Sequence, residues 1–196
     1  MVAAADAPAV RGIYAPFVAD SATSFETDVP DVAEMERRLT VHADRYPWLV
    51  FEQGGTVLGY AYASPHRARK AYQWSVEVSV YVDPRAHRSG VGRALYTALF
   101  DVLRRQHYVN AYAGITLPNP KSVGLHQSMG FAPVGVYRQI GFKFDRWHDV
   151  QWLQLRLRED QAAPSDPIPV SAVAGSDETT AAFDACARSA RLNVTA

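Results

Sequence analysis

The chain has 196 residues, 48% of them hydrophobic, and 20 Lys+Arg balance 20 Asp+Glu. That length and apolar share suit one globular domain with room for a core, and exclude a disordered chain. Zero net charge speaks against a nucleic-acid binder, which carries a basic excess. The cluster "HRARK" at His66 to Lys70 is therefore a local site or a solvated loop. Cys186 is the single cysteine, so no internal disulfide can form, and no Cys/His spacing suits zinc. No metal is expected. The chain opens without a basic segment leading into an apolar run, and no apolar run approaches the roughly 20 residues that span a bilayer. A reducing, cytoplasmic setting with no membrane partner is expected, and the acceptor-like triplet "NVT" at 193–195 then has no glycosylation role.

"DAPAVRGIYAPFV" offers an Asp cap, an early Pro, and Val10, Ile13, Tyr14 and Phe17 at helical spacing. "VPDVAEMERRL" repeats the pattern through Val32, Met35 and Leu39 and predicts a second helix. "WLVFEQGGTVLGYAYAS" is two apolar runs around "QGG", which predicts an antiparallel hairpin. "WSVEVSVYV" is rich in β-branched and aromatic residues and predicts a central strand. Arg88 to His107 is amphipathic through Val91, Leu95, Leu99, Val102 and Leu103 and predicts the long third helix. A strand "NAYAGITL" follows, then a short helix in "NPKSVGLHQSMG" closed by Gly130. Two strands joined by a loop end the body, in "FAPVGVYRQIGFKFDRWHDVQWLQLRL". The order ααβββαβαββ implies an α/β or α+β sheet protein. A domain over 1–158 and a tail over 159–196 are expected. The tail is rich in Ala, Pro, Ser and Asp, and reads as flexible or as a docked helix within "DETTAAFDACARSARL".

"HRSGVGRAL" follows a strand and opens a helix. The first helical N–H groups lack intrahelical partners and the macrodipole makes that end partly positive, so the turn can hold an anion. A nucleotide P-loop needs Lys-Ser/Thr after the second glycine, where Arg93-Ala94 stands; a dinucleotide fold wants a third glycine, where Leu95 stands. Two readings stay open: a plain structural turn, or a loop for the pyrophosphate of acetyl-CoA. The run His87-Arg88-Ser89-Gly90-Val91-Gly92 resembles the Gln/Arg-x-x-Gly-x-Gly/Ala loop of acetyl-CoA-dependent N-acetyltransferases, with His at the first position.

The segments "RYPWLV", "AYQW", "VYVDPR", "SGVGRALY", "LPNP", "SVGLH", "GFK" and "WHDV" occur in order from about Ala5 to Leu157. Together they resemble the phosphinothricin acetyltransferase family within the Gcn5-related N-acetyltransferases (GNAT). The resemblance implies a mixed, twisted central sheet with helices on both faces, a splayed gap for acetyl-CoA, and a homodimer. It also implies a strand before the first helix, where only "MVAA" stands.

Acetylating an amine requires removing its proton, donors for the developing oxyanion, and close placement of the reactants. Glu77 is the one carboxylate in an apolar strand, where burial would raise its pKa toward that of a useful base, and the resemblance places the catalytic glutamate there. His126 matches a histidine of the family's active site, for direct chemistry or positioning. The end of the central strand, Val80, Tyr81 and Val82, can offer backbone groups to the pantetheine arm. The loop from Arg88 through Ser89, Gly90, Val91 and Gly92 to Arg93 would hold the pyrophosphate. Asn119 matches a cofactor contact and also suits a helix cap; Tyr96 would line the cofactor channel. For the acceptor, "ARKAYQW" matches the substrate loop, so Arg69, Lys70 and Tyr72 would pair its anionic group, bidentately in the case of Arg. Phe25 matches an aromatic that closes the acceptor pocket, and Thr116 is a further candidate. The expected acceptor is a small amino acid-like amine of the phosphinothricin or methionine sulfoximine/sulfone type. The alternatives are another amine, such as an amino acid, polyamine or protein terminus, and a non-catalytic acyl-CoA sensor.

Overall fold

The computed structural model describes residues 1–159 and 163–190; the triplet 193–195 lies outside them. In chain order the elements are α1 (Ala7–Ala19), α2 (Val32–Thr40), β1 (Trp48–Gln53), β2 (Thr56–Pro65), β3 (Ser75–Val82), α3 (Val91–Arg105), β4 (Asn110–Thr116), α4 (Pro120–Ser128), β5 (Ala132–Lys143) and β6 (Arg146–Arg156), followed by α5 (Ser171–Ala174) and α6 (Asp177–Ser189). Among the described residues the strands form one six-stranded mixed sheet, in the order β1-β2-β3-β4-β6-β5. The order of elements through β6 is the one read from the sequence.

Local chemistry accounts for most boundaries. Gly54 and Gly55 have φ of 57° and 76°, the left-handed pair that a two-residue turn needs to match strand twist. Asp31 caps α2 by accepting from Glu34 N at 2.8 Å. Asp6 does not cap α1; its carboxylate accepts from Ala3 N at 2.7 Å. Val32, expected on the buried face of α2, is exposed, and Met35 and Leu39 carry the burial. The third helix starts at Val91 rather than Arg88, because Gly90 at φ 92° breaks the helical conformation just before it. Where a strand before α1 was expected, Val2 makes one bond, to Trp48 O at 3.0 Å.

β3 and β4 are parallel and need a crossover, which α3 supplies. Residues alternate along β3. Val76 and Val78 face α3 and share its core with Leu95 and Leu99. Tyr81 faces α1 with Tyr60, in a second core with Tyr14 and Val18. Gly59 lets α3 sit close on the sheet: a Cβ there would stand 3.1 Å from Val91 and 3.2 Å from Leu95.

In residues 163–190 the tail lies against the body. Phe183 and Cys186 of α6 pack on the α3 side of the core, and Arg105 of α3 pairs with Glu178 at 2.6 Å. Buried Gln106 donates to Ile168 O at 2.9 Å, and Trp74 Nε1 to Ser165 O at 2.8 Å. The Gln106 amide also donates to Arg45 O at 3.1 Å, so one buried side chain ties the Ala/Pro-rich segment to the body.

Candidate active site

The central strands part in the middle of the sheet. β3 and β4 pair only from Ser75↔Asn110 to Glu77↔Tyr112, while β3 stays paired to β2 through Val82 and β4 to β6 through Thr116. The alternation of an antiparallel ladder shows which groups face the gap. Asp83 N bonds Leu58 O at 2.9 Å, so Asp83, Tyr81, Ser79 and Glu77 turn their backbone groups to β2. Val78, Val80 and Val82 turn theirs to the gap. His87 Nε2, at 3.1 Å from Val82 O on that side, agrees with this. Val80 therefore offers both N–H and C=O to an extended ligand, flanked by Val78 C=O and Val82 N–H. Tyr81, expected among these, does not: its backbone serves β2, and its ring packs edge-on to Tyr14 (5.1 Å) and Phe17 (5.0 Å). Val78 was missed because strand parity depends on register with β2.

At the end of this gap stands the N-terminus of α3. Ala94 N makes the first intrahelical bond, to Gly90 O at 2.9 Å, so the N–H groups of Val91, Gly92 and Arg93 are open. A Cβ on Gly92 would lie 3.4 Å from Leu125 and 3.5 Å from Val82, so the missing side chain keeps a narrow cradle between α3, α4 and β3 open. Arg88 has φ of 62° and is exposed, its guanidinium available to an anion. Ser89 Oγ donates to Ala86 O at 2.6 Å and braces the turn. The Arg93 side chain turns away, to Ser128 Oγ at 2.8 Å, leaving its amide to the loop. These donors and the gap beside them fit a pyrophosphate followed by an extended amide-bearing arm.

Glu77 is the last residue of β3 before the strands part. Its side chain is 32% exposed, so the burial expected from the apolar strand is not found. Oε1 meets His66 Nδ1 at 3.1 Å and Arg67 Nη1 at 3.5 Å. Oε2 has no protein partner among the described residues. Arg67 also lines a cavity of about 350 Å³, with Arg45, Arg69, Lys70, Tyr72 and Gln73 among others. The expected acceptor residues Arg69, Lys70 and Tyr72 are thus together. Arg45 was missed: it lies over twenty residues earlier in the chain and reaches the cavity only through the fold. His66 was missed as well; its sequence neighbourhood reads as a basic loop.

His126 is 4% exposed and both its ring nitrogens are engaged. Nδ1–H donates to Ser122 O at 2.8 Å and Nε2 accepts from Tyr96 OH at 2.9 Å. Burial lowers its pKa, so the ring is neutral and has no free nitrogen for direct chemistry. Tyr96, expected to line a channel, is fully buried in the core, and burial raises its pKa. The pair ties α4 to α3 beneath the cradle. Asn119 caps α4, its Oδ1 accepting from Ser122 N at 3.1 Å. Thr116 ends β4 at the far side of the gap.

Phe25 lies over Gly141 of β5, so closely that a Cβ on Gly141 would stand 2.3 Å from its ring. The loop carrying Phe25 is held by Lys143, also of β5, whose ammonium is buried and donates to Val18 O, Ser24 O and Ser21 O at 2.6, 2.8 and 3.0 Å. Tyr14 OH contacts Ser24 Oγ at 2.7 Å and donates to Glu26 at 2.9 Å, and burial pushes its pKa up to about 12.

A sheet split at a central parallel pair, with a glycine-opened helix start at the split, defines an acyl-CoA-type transferase architecture. A family profile described as an acetyltransferase (GNAT) domain matches residues 1–152. The chain belongs to the GNAT acetyltransferase family and is an N-acetyltransferase. It is 41% identical over 170 residues to a phosphinothricin N-acetyltransferase of Streptomyces viridochromogenes, covering 87% of this chain and 91% of that one. It is 37% identical over 164 residues to an L-methionine sulfoximine/L-methionine sulfone acetyltransferase of Salmonella typhimurium, covering 82% and 94%. Among solved structures, a phosphinothricin acetyltransferase from Sinorhizobium meliloti in complex with acetyl-CoA superposes with a TM-score of 0.80 at 34% identity, covering 85% and 92%. Among the described residues no cluster of His, Cys, Asp and Glu could hold a metal, and no helix is long and apolar enough to cross a membrane.

Proposed function

We propose that the chain transfers acetyl from acetyl-CoA to the α-amino group of a small amino acid-like acceptor of the phosphinothricin or methionine sulfoximine/sulfone type, with Glu77 as general base. The observation that carries this reading is the position of Glu77: it is the last residue of β3 paired to β4, its Oε2 has no protein partner among the described residues, and its Oε1 meets Arg67, which lines the cationic cavity. Acetyl-CoA supplies an activated thioester, its arm along Val80 and its pyrophosphate at the amides of Val91 to Arg93. The acceptor's anionic group faces Arg69 and Lys70, with Arg45 beside them, and Phe25 closes over its far side. The acceptor's ammonium gives a proton to Glu77 and the freed amine attacks the thioester carbonyl; a C–N bond forms, the C–S bond breaks, and the departing CoA thiolate takes the second proton released from the nitrogen. Transfer is direct, because Cys186, the one cysteine, packs on α3 across the sheet from Glu77. His126 acts by holding α4 and α3 together rather than by chemistry.

The enzyme works as a homodimer in this reading. β5 is an edge strand, and Val134, Ile140, Phe142 and Trp147 of the β5–β6 hairpin are each more than half exposed. Such a surface calls for a covering partner, and light scattering reads the mass directly. A cytoplasmic setting and a role in resistance to phosphinothricin belong to the same proposal.

The test is free-thiol release from acetyl-CoA with phosphinothricin, demethylphosphinothricin, methionine sulfoximine, methionine sulfone, the common amino acids and a polyamine. Turnover led by the first four supports the reading. Turnover led by another amine moves the acceptor class, and silence with acetyl-CoA still bound favours a sensor. Glu77→Gln should lower kcat/KM by about 10²–10⁴-fold, the usual worth of a positioned base. A value within about threefold of wild type across pH 6 to 9 refutes the base assignment, since a few-fold change lies far below that worth.

A further inference from the structure

A general base must present one carboxylate oxygen at a fixed point, within hydrogen-bond reach of the proton it takes. A glutamate has three side-chain torsions, and ordering a long side chain costs up to about 2 kcal/mol. Glu77 stands at a strand edge with a third of its side chain exposed, so the strand alone does not fix its carboxylate. Arg67 is a weak restraint, exposed and at the limit of contact at 3.5 Å. His66 is different. It is the first residue after β2, its side chain is only 15% exposed, and its Nδ1 lies 3.1 Å from Glu77 Oε1. The imidazole is itself clamped: it stacks on Tyr112 of β4 at 4.4 Å and 14°, and meets Tyr72 and Trp152 edge-on at 6.2 and 6.0 Å. Tyr112 is the residue paired with Glu77 at the last rung before the gap. The ring therefore bridges the two strands at the point where they part.

We propose that His66 is the positioning residue for Glu77. Its Nδ1–H donates to Oε1, fixes the carboxylate, and turns Oε2 toward the acceptor amine. With Nδ1 donating to Oε1, Oε2 is left to take the proton, and a donated hydrogen bond favours the charged form of a carboxylate. The charged and titratable groups around the ring are Glu77, Arg67, Tyr72 and Tyr112. This proposal rests on Glu77 being the base.

The test uses the full-length enzyme with acetyl-CoA and either phosphinothricin or methionine sulfone. His66→Phe keeps an aromatic ring to stack on Tyr112 and removes the donor; His66→Asn puts an amide N–H near the Nδ1 position. His66→Phe should lower kcat roughly tenfold, as loss of an orienting partner does for a base. KM for acetyl-CoA should not change, and the acidic limb of the kcat/KM profile should move to higher pH. His66→Asn should recover kcat to within about threefold, because the donor is restored. Combined with Glu77→Gln, His66→Phe should cause no further loss, since its effect passes through the carboxylate. Wild-type kcat and pH profile in His66→Phe overturn the proposal while leaving Glu77 as base. An equal loss with and without Glu77 also overturns it and assigns the ring another role. Wild-type activity in Glu77→Gln refutes the base reading itself, whatever His66 does.

Discussion

Lys143 sits on β5, yet it organises a loop more than a hundred residues earlier in the chain. Replacing it with Met keeps the stem and removes the ammonium. The carbonyls of Val18 and Ser24 are on buried residues and lose their donor; that of Ser21 is half-buried and can turn to water. An unsatisfied buried acceptor costs about 1–3 kcal/mol, so two cost roughly 2–6 kcal/mol. Against this, the wild type buries a charge, which lowers the lysine pKa and is no longer paid by the variant. The net loss should be about 1–3 kcal/mol, or about 3–10 °C in Tm for a chain of this size. The loop also carries Phe25. Lys143→Met should therefore raise KM for the acceptor about tenfold, the scale of a lost pocket contact, with KM for acetyl-CoA unchanged, because the cradle at Gly92 lies on other elements. Thermal unfolding and steady-state kinetics read both effects. An unchanged Tm with an unchanged acceptor KM would refute the reasoning that this ammonium holds the acceptor-side loop.

Two further outcomes are expected. Gly92→Asp places a carboxylate among the open amides of α3, where the nearest atoms leave 3.4 Å for its Cβ. The fold should survive while KM for acetyl-CoA rises at least about tenfold from like-charge repulsion and lost space; an unchanged value would remove the pyrophosphate from this helix start. His126 is held below its ordinary value of 6.5 by burial. The unfolded chain then binds a proton that the fold refuses, so this group's contribution is complete above 6.5 and declines as pH falls below it. Tm of the wild type should drop more steeply between pH 7 and 5 than Tm of His126→Asn, and equal slopes would contradict a neutral buried ring.

The elements were legible because their signals are local. The Gly54-Gly55 turn, the Asp31 cap, the Asn119 cap and the apolar stripe of α3 each act within a few residues, and the order of strands and helices followed from them. Short motifs in register carried the family, and with it the expected roles of Glu77 and of the loop holding Arg69 to Tyr72. Boundaries moved where one backbone angle decided them, as Gly90 did for α3. What a side chain does once it arrives was not legible. Tyr81 and Tyr96 looked like cofactor contacts in sequence, but strand parity turns one to β2 and α1, and packing seals the other against His126. Glu77 looked buried, and the parting of β3 from β4 leaves it at an edge with His66 for company. Arg45 joins Arg69, and Lys143 reaches Ser24, because the sheet brings their strands and loops together. Such contacts are spaced by tens of residues or more along the chain, and no period or cap encodes them. Sequence by itself determined which elements form and which family they build; sheet register and core packing decided which polar atoms stay free to act, because a buried donor or acceptor takes whichever partner the tertiary structure brings within about 3 Å.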